Sequence, residues 1–154
     1  ARAHAHIGTS FVEIFQNCIV YNDGVFNEFT AKDKVANQQI AVEHGQPLLF
    51  GAGRQKGLHI KPESLEIEVV TIGENGIVED DILFHDEKNK VLATLLAGMQ
   101  GPYFPVAIGV LYCDTAPSYE QEVQVVLDKS TSKTGSDLNA LLRIGHTWQV
   151  DVKS

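Results

Sequence analysis

The length, composition and charge of the chain exclude several classes of protein. Its 154 residues are enough to bury a core, and 44% hydrophobic with 21% charged residues is an ordinary globular composition. Twelve Lys and Arg against 20 Asp and Glu give a net charge of −8, whereas nucleic-acid and anionic-membrane surfaces need basic patches. No apolar run approaches the roughly 20 residues that span a bilayer. We therefore expect a cytoplasmic protein that binds neither nucleic acid nor membrane.

The cysteines and the first residues add two expectations. Cys18 and Cys113 make a weak case for a disulfide, so free thiols in a reducing compartment are the simpler interpretation. The sequence starts at Ala1 and reaches its first predicted strand within eight residues. Because parallel strands need neighbours and crossover helices, we expect the chain to be the carboxyl-terminal part of a larger protein.

The opening stretch contains the most functional-looking pattern. Ala1–Ile7 is predicted to be a helix end capped by Gly8, and Thr9–Phe15, apolar on both faces except at Glu13, to be a buried strand. Burial on both faces is typical of parallel sheets covered by helices. Ligands collect beyond the carboxyl ends of such strands, which is where Cys18 lies.

A short helix and a hairpin are predicted next. Asp23–Val35 is predicted to be a short helix followed by a loop, in which Phe26 and Phe29, three positions apart, share a face. Gln39–Val42 and Pro47–Phe50 are predicted to pair with each other as a hairpin.

A glycine-rich basic loop, Gly51–Gly57, comes next, and its segment Arg54–Lys56 admits two interpretations. It could meet an anionic group such as a coenzyme A phosphate, or it could be a solvated surface loop. Leu58–Ile60 and the alternating Leu65–Ile72 are predicted strands, and Asn75-Gly76 is a strong turn signal.

A helix is predicted from Glu87 to Ala97, with Asp86 as its amino-terminal cap and Gly98 just past its end. Its apolar residues form one stripe, made of Val91, Leu92, Leu95, Leu96 and Met99. The nearly uniform apolar run Val106–Tyr112 predicts a second buried strand.

The carboxyl-terminal third begins with a helix start at Pro117–Gln121, where Ser118 and Gln121 have capping-box spacing. This helix is predicted to end near Leu127, followed by a polar linker, Lys129–Gly135.

Ser136 is then predicted to cap a last helix, Asp137–Ile144, which Gly145 ends. Thr147–Val152 is predicted to be a closing strand or a docked tail, with Trp148 as its anchor.

Three further groups of polar residues have competing interpretations. Glu13 inside a buried strand would need a hydrogen-bond partner. His4 and His6 would diverge on a helix end, which argues against a shared metal. His85-Asp86-Glu87, with Asp80 and Asp81 upstream, could form a metal or acid–base site, but a capped helix start explains the acids better.

Six stretches of the sequence, in order, carry a family likeness: Gly8–Cys18, Tyr21–Phe26, Glu43–Gly51, Gly76–Glu87, Phe104–Val110 and Leu141–Trp148. They resemble the β subunit of the two-subunit 2-oxoacid:ferredoxin oxidoreductases, in particular the actinobacterial 2-oxoglutarate type. The resemblance implies an α/β fold: the edge of a thiamine-diphosphate-binding open sheet at residues 1–24, an α+β extension at 25–128, and a linker with a docked helix and tail at 129–154.

The resemblance also implies a reaction and its cofactors. A 2-oxoacid, either 2-oxoglutarate, as the type that the chain resembles suggests, or pyruvate, would be oxidatively decarboxylated to its acyl-coenzyme A. The cofactors would be thiamine diphosphate with Mg²⁺ and a four-iron four-sulfur cluster, and the electrons would pass to ferredoxin. The α subunit would be the protein partner.

The resemblance further implies that Cys18 matches the fourth cluster cysteine of the family and that Asn22 and Asp23 beside it are candidates for cofactor contact. The diphosphate motif and three other cluster cysteines of the family have no counterpart in this sequence. Since one thiolate cannot hold a cluster, we expect the chain alone to be inactive. The competing hypothesis is a non-catalytic α+β interaction or ligand-binding domain.

Overall fold

Two small sheets, six α-helices and one 3₁₀ helix (Glu79–Asp81) make up the regular structure of the part of the chain that this computed structural model describes, residues 2–134, 137–146, 148 and 150. The helices are α1 (Arg2–Ala5), α2 (Asn27–Thr30), α3 (Val35–Gln38), α4 (Lys90–Ala97), α5 (Tyr119–Thr134) and α6 (Leu138–Leu142). The strands are β1 (Gln39–Val42), β2 (Leu49–Phe50), β3 (Lys56–Ile60), β4 (Ile67–Thr71) and β5 (Val106–Gly109).

The chain divides into two compact units. One consists of residues 12–114 and contains both sheets, and the other combines residues 1–11 with 115–154. The helices and strands, with one parallel and one antiparallel sheet, are consistent with the predicted α/β fold. None of the described helices has the length and hydropathy to cross a bilayer.

The parallel sheet pairs β1 with β5, in register from Gln39 opposite Val106 to Val42 opposite Gly109. The end of this ladder requires glycine, because Gly109 has φ +135° and a Cβ there would lie 2.5 Å from the Val42 carbonyl oxygen. The strand predicted over Val106–Tyr112 is shorter and only half-buried, and among the described residues it pairs with β1 alone.

The predicted hairpin between Gln39–Val42 and Pro47–Phe50 is wrong. Both segments contain strands, but β1 pairs with β5 and β2 pairs antiparallel with β3. Pro47 lies opposite Phe84, and the Leu48 N–H donates to the Leu83 carbonyl at 2.8 Å. The backbone groups that a hairpin would use are thus occupied by a segment much later in the chain.

The antiparallel sheet has the order β2-β3-β4, with Lys56 opposite Thr71 and Ile60 opposite Ile67. It confirms the strands predicted at Leu58–Ile60 and, from the alternating pattern, at Leu65–Ile72, but with other bounds. β3 begins earlier, at Lys56, and β4 begins at Ile67, because Leu65 has φ +58° and is 72% exposed. The predicted turn is confirmed as well: Asn75 and Gly76 have φ +50° and +79°, the left-handed pair that a tight reversal of this kind needs.

The hydrophobic core lies within the unit of residues 12–114. Its buried members come from β1, β2, β3, α4 and the segment before β2: Ile40, Val42, Leu48, Phe50, Leu58, Leu92 and Leu96. Non-directional burial of such side chains, at about 25 cal/mol per Å² of apolar area, is the main stabilising contribution.

Helix α4 starts three residues later than predicted. Its cap is Asn89, whose side-chain oxygen accepts from the N–H groups of Val91 and Leu92, both at 3.1 Å. Asp86 caps the preceding turn instead, accepting from the Lys88 N–H at 3.0 Å. With this start, Val91 faces solvent and does not belong to the buried stripe.

The buried strand predicted at Thr9–Phe15 is wrong. Residues 9–17 belong to no helix or strand, and Phe11 and Ile14 are 91% and 78% exposed. A strand is stable only beside a partner strand, and the described strands pair only among themselves. Glu13 is likewise exposed, so the expectation that it is buried and needs a partner is wrong.

In the second unit, the capping box of α5 is confirmed: the Ser118 N–H donates to Gln121 Oε1 at 2.9 Å, and the Gln121 N–H to Ser118 Oγ at 3.4 Å. The helix continues to Thr134, so the polar linker predicted from Lys129 is wrong up to that residue. The hydroxyl of Thr131 bonds back to the Leu127 carbonyl at 2.9 Å, which lets a polar sequence stay helical.

Helix α6 is capped by Asp137, which accepts from the Asn139 N–H at 2.9 Å. The predicted cap Ser136 lies outside the described residues, as does most of Thr147–Val152. Trp148 is described and is 85% exposed, so it is not packed as the predicted anchor.

Candidate functional site

The loop that carries Cys18 reverses tightly at the surface of the larger unit. Cys18 and Asn22 lie opposite each other as a single antiparallel bridge, and the Asn22 N–H donates to the Cys18 carbonyl at 2.9 Å. Between them, residues 19–21 form an exposed tip. The backbone alone therefore brings Cys18 and Asn22 together.

Asn17 holds both sides of this loop. Its side-chain nitrogen donates to the Asp23 carboxylate at 2.8 Å, and its side-chain oxygen accepts from the Gly24 N–H at 2.8 Å. Gly24 has φ +74°, a left-handed conformation that glycine adopts without strain. The structure thus gathers Cys18, Asn22 and Asp23 into one hydrogen-bonded loop.

Three phenylalanine rings fix the base of the loop. Phe15 precedes it, and its ring centroid lies 5.4 Å from that of Phe26 and 5.1 Å from that of Phe29, in edge-to-face contacts. The centroids of Phe26 and Phe29 are 5.8 Å apart, which confirms that they share a face. Aromatic pairs in this arrangement contribute roughly 0.5–1.5 kcal/mol each beyond their buried area.

The Cys18 thiol is exposed, unbonded to another cysteine, and surrounded by donors. Hydrogen bonds from the backbone N–H groups of Tyr21, Val20 and Asn22 lower the pKa of the Cys18 thiol from its ordinary value. They stabilise the thiolate, the form that attacks electrophiles and binds metals. Such N–H groups around a sulfur also tune the potential of iron–sulfur centres.

Cys18 therefore suits one ligand position of an iron–sulfur cluster, but this sequence supplies no complete set. Across residues 2–134 and the later described positions, no three His, Cys, Asp or Glu side chains are grouped to hold a metal ion. The other cysteine, Cys113, is half-buried, and its N–H donates to the Glu87 carbonyl at 2.7 Å.

The side chain of Asp23 already accepts a hydrogen bond from Asn17. A carboxylate fixed in this way is oriented for a second contact through its remaining lone pairs. The cofactor contacts of Asn22 and Asp23 stay predictions.

Residues 51–55 of the glycine-rich basic loop connect β2 to β3, whereas its last two residues, Lys56 and Gly57, are part of β3. Its conformation is set by Arg54 at φ +53° and by Gln55, whose side-chain oxygen accepts from the Gly53 N–H at 2.8 Å. The Arg54 side chain is exposed. Both interpretations of Arg54–Lys56, as an anion contact and as a solvated loop, stay open.

The structure argues against a metal or acid–base site around His85. This side chain is 1% exposed, and its Nε2 donates to the Val110 carbonyl at 2.8 Å. Its Nδ1 is buried without a hydrogen-bond partner. Asp86 is used to cap a turn. His85 is thus a polar core residue that joins the segment after the 3₁₀ helix (Glu79–Asp81) to the chain beyond β5.

Sequence reasoning missed one cross-strand cluster. His59 Nδ1 lies 3.0 Å from Glu68 Oε1, and Lys61 Nζ lies 3.7 Å from Glu68 Oε2. Since His59 and Glu68 are directly paired on β3 and β4, a register prediction for the two strands could have found it. Cross-strand opposite charges stabilise a sheet by roughly 0.2–1 kcal/mol.

Comparison with known proteins relates the chain to an oxidoreductase. It is 28% identical over 155 residues to the 2-oxoglutarate oxidoreductase subunit KorB of Mycobacterium tuberculosis, and the match covers 97% of this chain. The chain spans about 40% of the length of that relative. No family model matches the chain, and no solved structure matches it with significance. The similarity connects the chain with a subunit of a 2-oxoacid oxidoreductase.

Proposed function

We propose that the chain acts within the β subunit of a 2-oxoacid:ferredoxin oxidoreductase and that Cys18 supplies one thiolate ligand to its four-iron four-sulfur cluster. The similarity over 97% of the chain carries this proposal. The 2-oxoacid is 2-oxoglutarate, the substrate in the relative's name. The reaction is oxidative decarboxylation to an acyl-coenzyme A, with electrons leaving through the cluster to ferredoxin.

The geometry of the Cys18 loop supports the ligand assignment. The thiol is exposed, so a metal centre can reach it, and three N–H groups favour its ionised form. The loop is held by Asn17 on one side and by the Phe15–Phe26–Phe29 contacts at its base. A ligand fixed before metal binding loses little conformational entropy when the metal binds.

Thiamine diphosphate and Mg²⁺ belong to this proposal as cofactors of the complete enzyme. They would supply the carbanion chemistry, while the protein supplies binding and orientation. From this chain, Asn22 and Asp23 would contact the cofactor next to Cys18. Coenzyme A, ferredoxin and the α subunit are its proposed partners.

The test uses the natural polypeptide that contains this sequence, purified without oxygen together with its companion subunit. Its iron content, visible absorption and 2-oxoglutarate-dependent reduction of ferredoxin are measured for the wild type, Cys18→Ser and Cys113→Ser. We expect Cys18→Ser to lose cluster iron and nearly all activity, and Cys113→Ser to keep both. Full iron and activity in Cys18→Ser would contradict the ligand assignment.

A non-catalytic interaction domain is the competing function, and the exposed apolar side chains of residues 11–21 favour it. The same measurements separate the two. A polypeptide that carries no iron and reduces no acceptor with 2-oxoglutarate or pyruvate, while it binds a partner protein, would support the interaction domain.

A further inference from the structure

The connection between β2 and β3 carries two cationic side chains, Arg54 and Lys56, that have no partner in the described part of the chain. Arg54 is exposed and Lys56 is half-buried. No described residue forms an ion pair or a hydrogen bond with the side-chain nitrogens of either residue. Residues 51–57 contain no Asp or Glu, so the loop itself supplies no carboxylate that would neutralise the two cations.

Gln55 adds a donor whose orientation is fixed. Its side-chain oxygen accepts from the Gly53 N–H at 2.8 Å, and a backbone N–H can bond only to the oxygen end of an amide. The amide lies against the loop, since a Cβ at Gly51 would be 3.0 Å from the same oxygen. The side-chain nitrogen of Gln55 has no acceptor among the described residues. Gln55 therefore presents donors beside the two cations.

The backbone holds Arg54 in a conformation that residues with a Cβ rarely adopt. Its φ is +53°, in the left-handed region, and its N–H closes a turn by donating to the Gly51 carbonyl at 3.0 Å. Glycine would occupy this position without strain. Strained backbone of this kind clusters at ligand-binding sites, where the surrounding structure positions a side chain.

Arg54 and Lys56 can reach one anion together. Cα atoms two positions apart are separated by about 7 Å or less, and both side chains are long. A phosphate monoester offers three acceptor oxygens, of which the planar guanidinium fork of an arginine can bind two while a lysine adds a point charge. A magnesium-bound diphosphate would instead need carboxylates for the metal, which this loop lacks.

We propose that Arg54, Gln55 and Lys56 bind the 3′-phosphate of coenzyme A. This inference rests on the proposed function. Among the reactants of that function, coenzyme A carries a phosphate monoester far from its reacting thiol, whereas the charges of the 2-oxoacid lie close to its reacting carbon. An exposed loop suits the remote, charged end of a substrate, because binding energy from such a group helps to orient the reacting end.

The experiment compares coenzyme A with dephospho-coenzyme A, which lacks only this phosphate. For the natural polypeptide with its companion subunit, isothermal titration calorimetry measures the Kd of each thiol, and the 2-oxoglutarate assay measures its KM. We expect the wild type to bind coenzyme A about tenfold or more tightly than dephospho-coenzyme A, as the loss of a charged hydrogen-bonded contact implies. Arg54→Gln should weaken the binding of coenzyme A by about the same factor and leave that of dephospho-coenzyme A unchanged.

Two further variants separate a phosphate contact from a general loss of charge. Lys90→Gln is the matched control, because it removes an exposed cation from the same unit at the start of α4, and it should bind both thiols like the wild type. Arg54→Lys keeps the charge but loses the planar fork, so it should restore part of the preference for coenzyme A. Urea unfolding checks that each variant keeps the stability of the wild type.

The possible outcomes distinguish this loop from the function as a whole. An active wild type with equal Kd values for the two thiols, or a preference for coenzyme A that Arg54→Gln retains, would overturn the loop assignment alone. A change confined to the KM for ferredoxin would also overturn it, because the loop would then belong to a protein-docking surface. A wild-type complex without iron and without activity on a 2-oxoacid would overturn the proposed function with it.

Discussion

Asn17 and Asp23 are joined across the Cys18 loop by a hydrogen bond of 2.8 Å from the asparagine Nδ2 to the carboxylate. The same asparagine accepts from the Gly24 N–H through its side-chain oxygen. One side chain therefore links the residue before the thiol to the two residues that end the loop. The turn between the two ends of this link contains the N–H groups of Val20, Tyr21 and Asn22 that surround the Cys18 thiol.

Removing the link should change the chemistry of the thiol. In Asn17→Ala, both hydrogen bonds are lost at a cost of about 1 kcal/mol each, and the loop spreads. We expect the pKa of Cys18 to rise toward its ordinary value, which the pH dependence of alkylation by iodoacetamide measures. Alkylation of Cys113 in the same sample is the internal control. An unchanged pH profile of Cys18 alkylation would contradict this expectation and show that the backbone bridge to Asn22 is sufficient to hold the N–H groups around the thiol.

The wild-type thiol should itself titrate below a free cysteine, whose pKa is about 8.5. The N–H groups of Tyr21, Val20 and Asn22 lower the pKa of the Cys18 thiol in the folded loop. Ionisation therefore favours the folded loop: its contribution is complete above the unfolded pKa and is lost as pH falls through the folded pKa. Alkylation rates at a series of pH values, in buffer and in guanidinium chloride, measure both pKa values. The same midpoint in both solvents would contradict the effect of these N–H groups.

Replacement of His85 should destabilise the larger unit. His85→Ala removes a buried ring and its bond to the Val110 carbonyl, so we expect a loss of about 2–4 kcal/mol. His85→Leu fills most of the space and removes the unpartnered Nδ1, so its cost should be smaller. Urea unfolding measures each free energy. The control is His44→Ala, because that side chain is half exposed, and an equal effect of the two alanine variants would contradict the prediction.

Gly57 is required by the neighbouring side chain. A Cβ at this position would lie 2.5 Å from Cδ1 of Ile82 and 2.9 Å from its Cγ1, and Ile82 is fully packed. We expect Gly57→Ala to cost about 1–3 kcal/mol through overpacking. Ile82→Val removes the closest atom, so the double variant should lose less stability than the two single changes together. Additive losses in urea unfolding would show that the strain has another origin.

Local patterns predicted the elements that local chemistry determines. Neighbouring residues alone predicted the Asn75-Gly76 turn, the capping box at Ser118 and a strand over Leu65–Ile72, which the structure has at Ile67–Thr71. In each case, the groups that decide the conformation lie within a few positions of one another. The Phe26–Phe29 pair follows the same rule.

Pairing over long distances was not predictable in this way. A run such as Thr9–Phe15 has strand composition, but its conformation depends on whether another strand lies beside it. The hairpin prediction for Gln39–Val42 failed for the same reason, since its partner is Val106–Gly109. The roles of Asn17 and Phe15 at the Cys18 loop were missed because both seemed part of a strand or its end.

The parallel pairing of β1 with β5 has a consequence for the order of folding. The intervening chain contains the antiparallel sheet and α4, and ordering such a long segment must precede the last ladder because closure entropy opposes distant contacts. We therefore expect the β2-β3-β4 sheet to protect its amide protons from exchange early in refolding, and β1 and β5 to gain protection last.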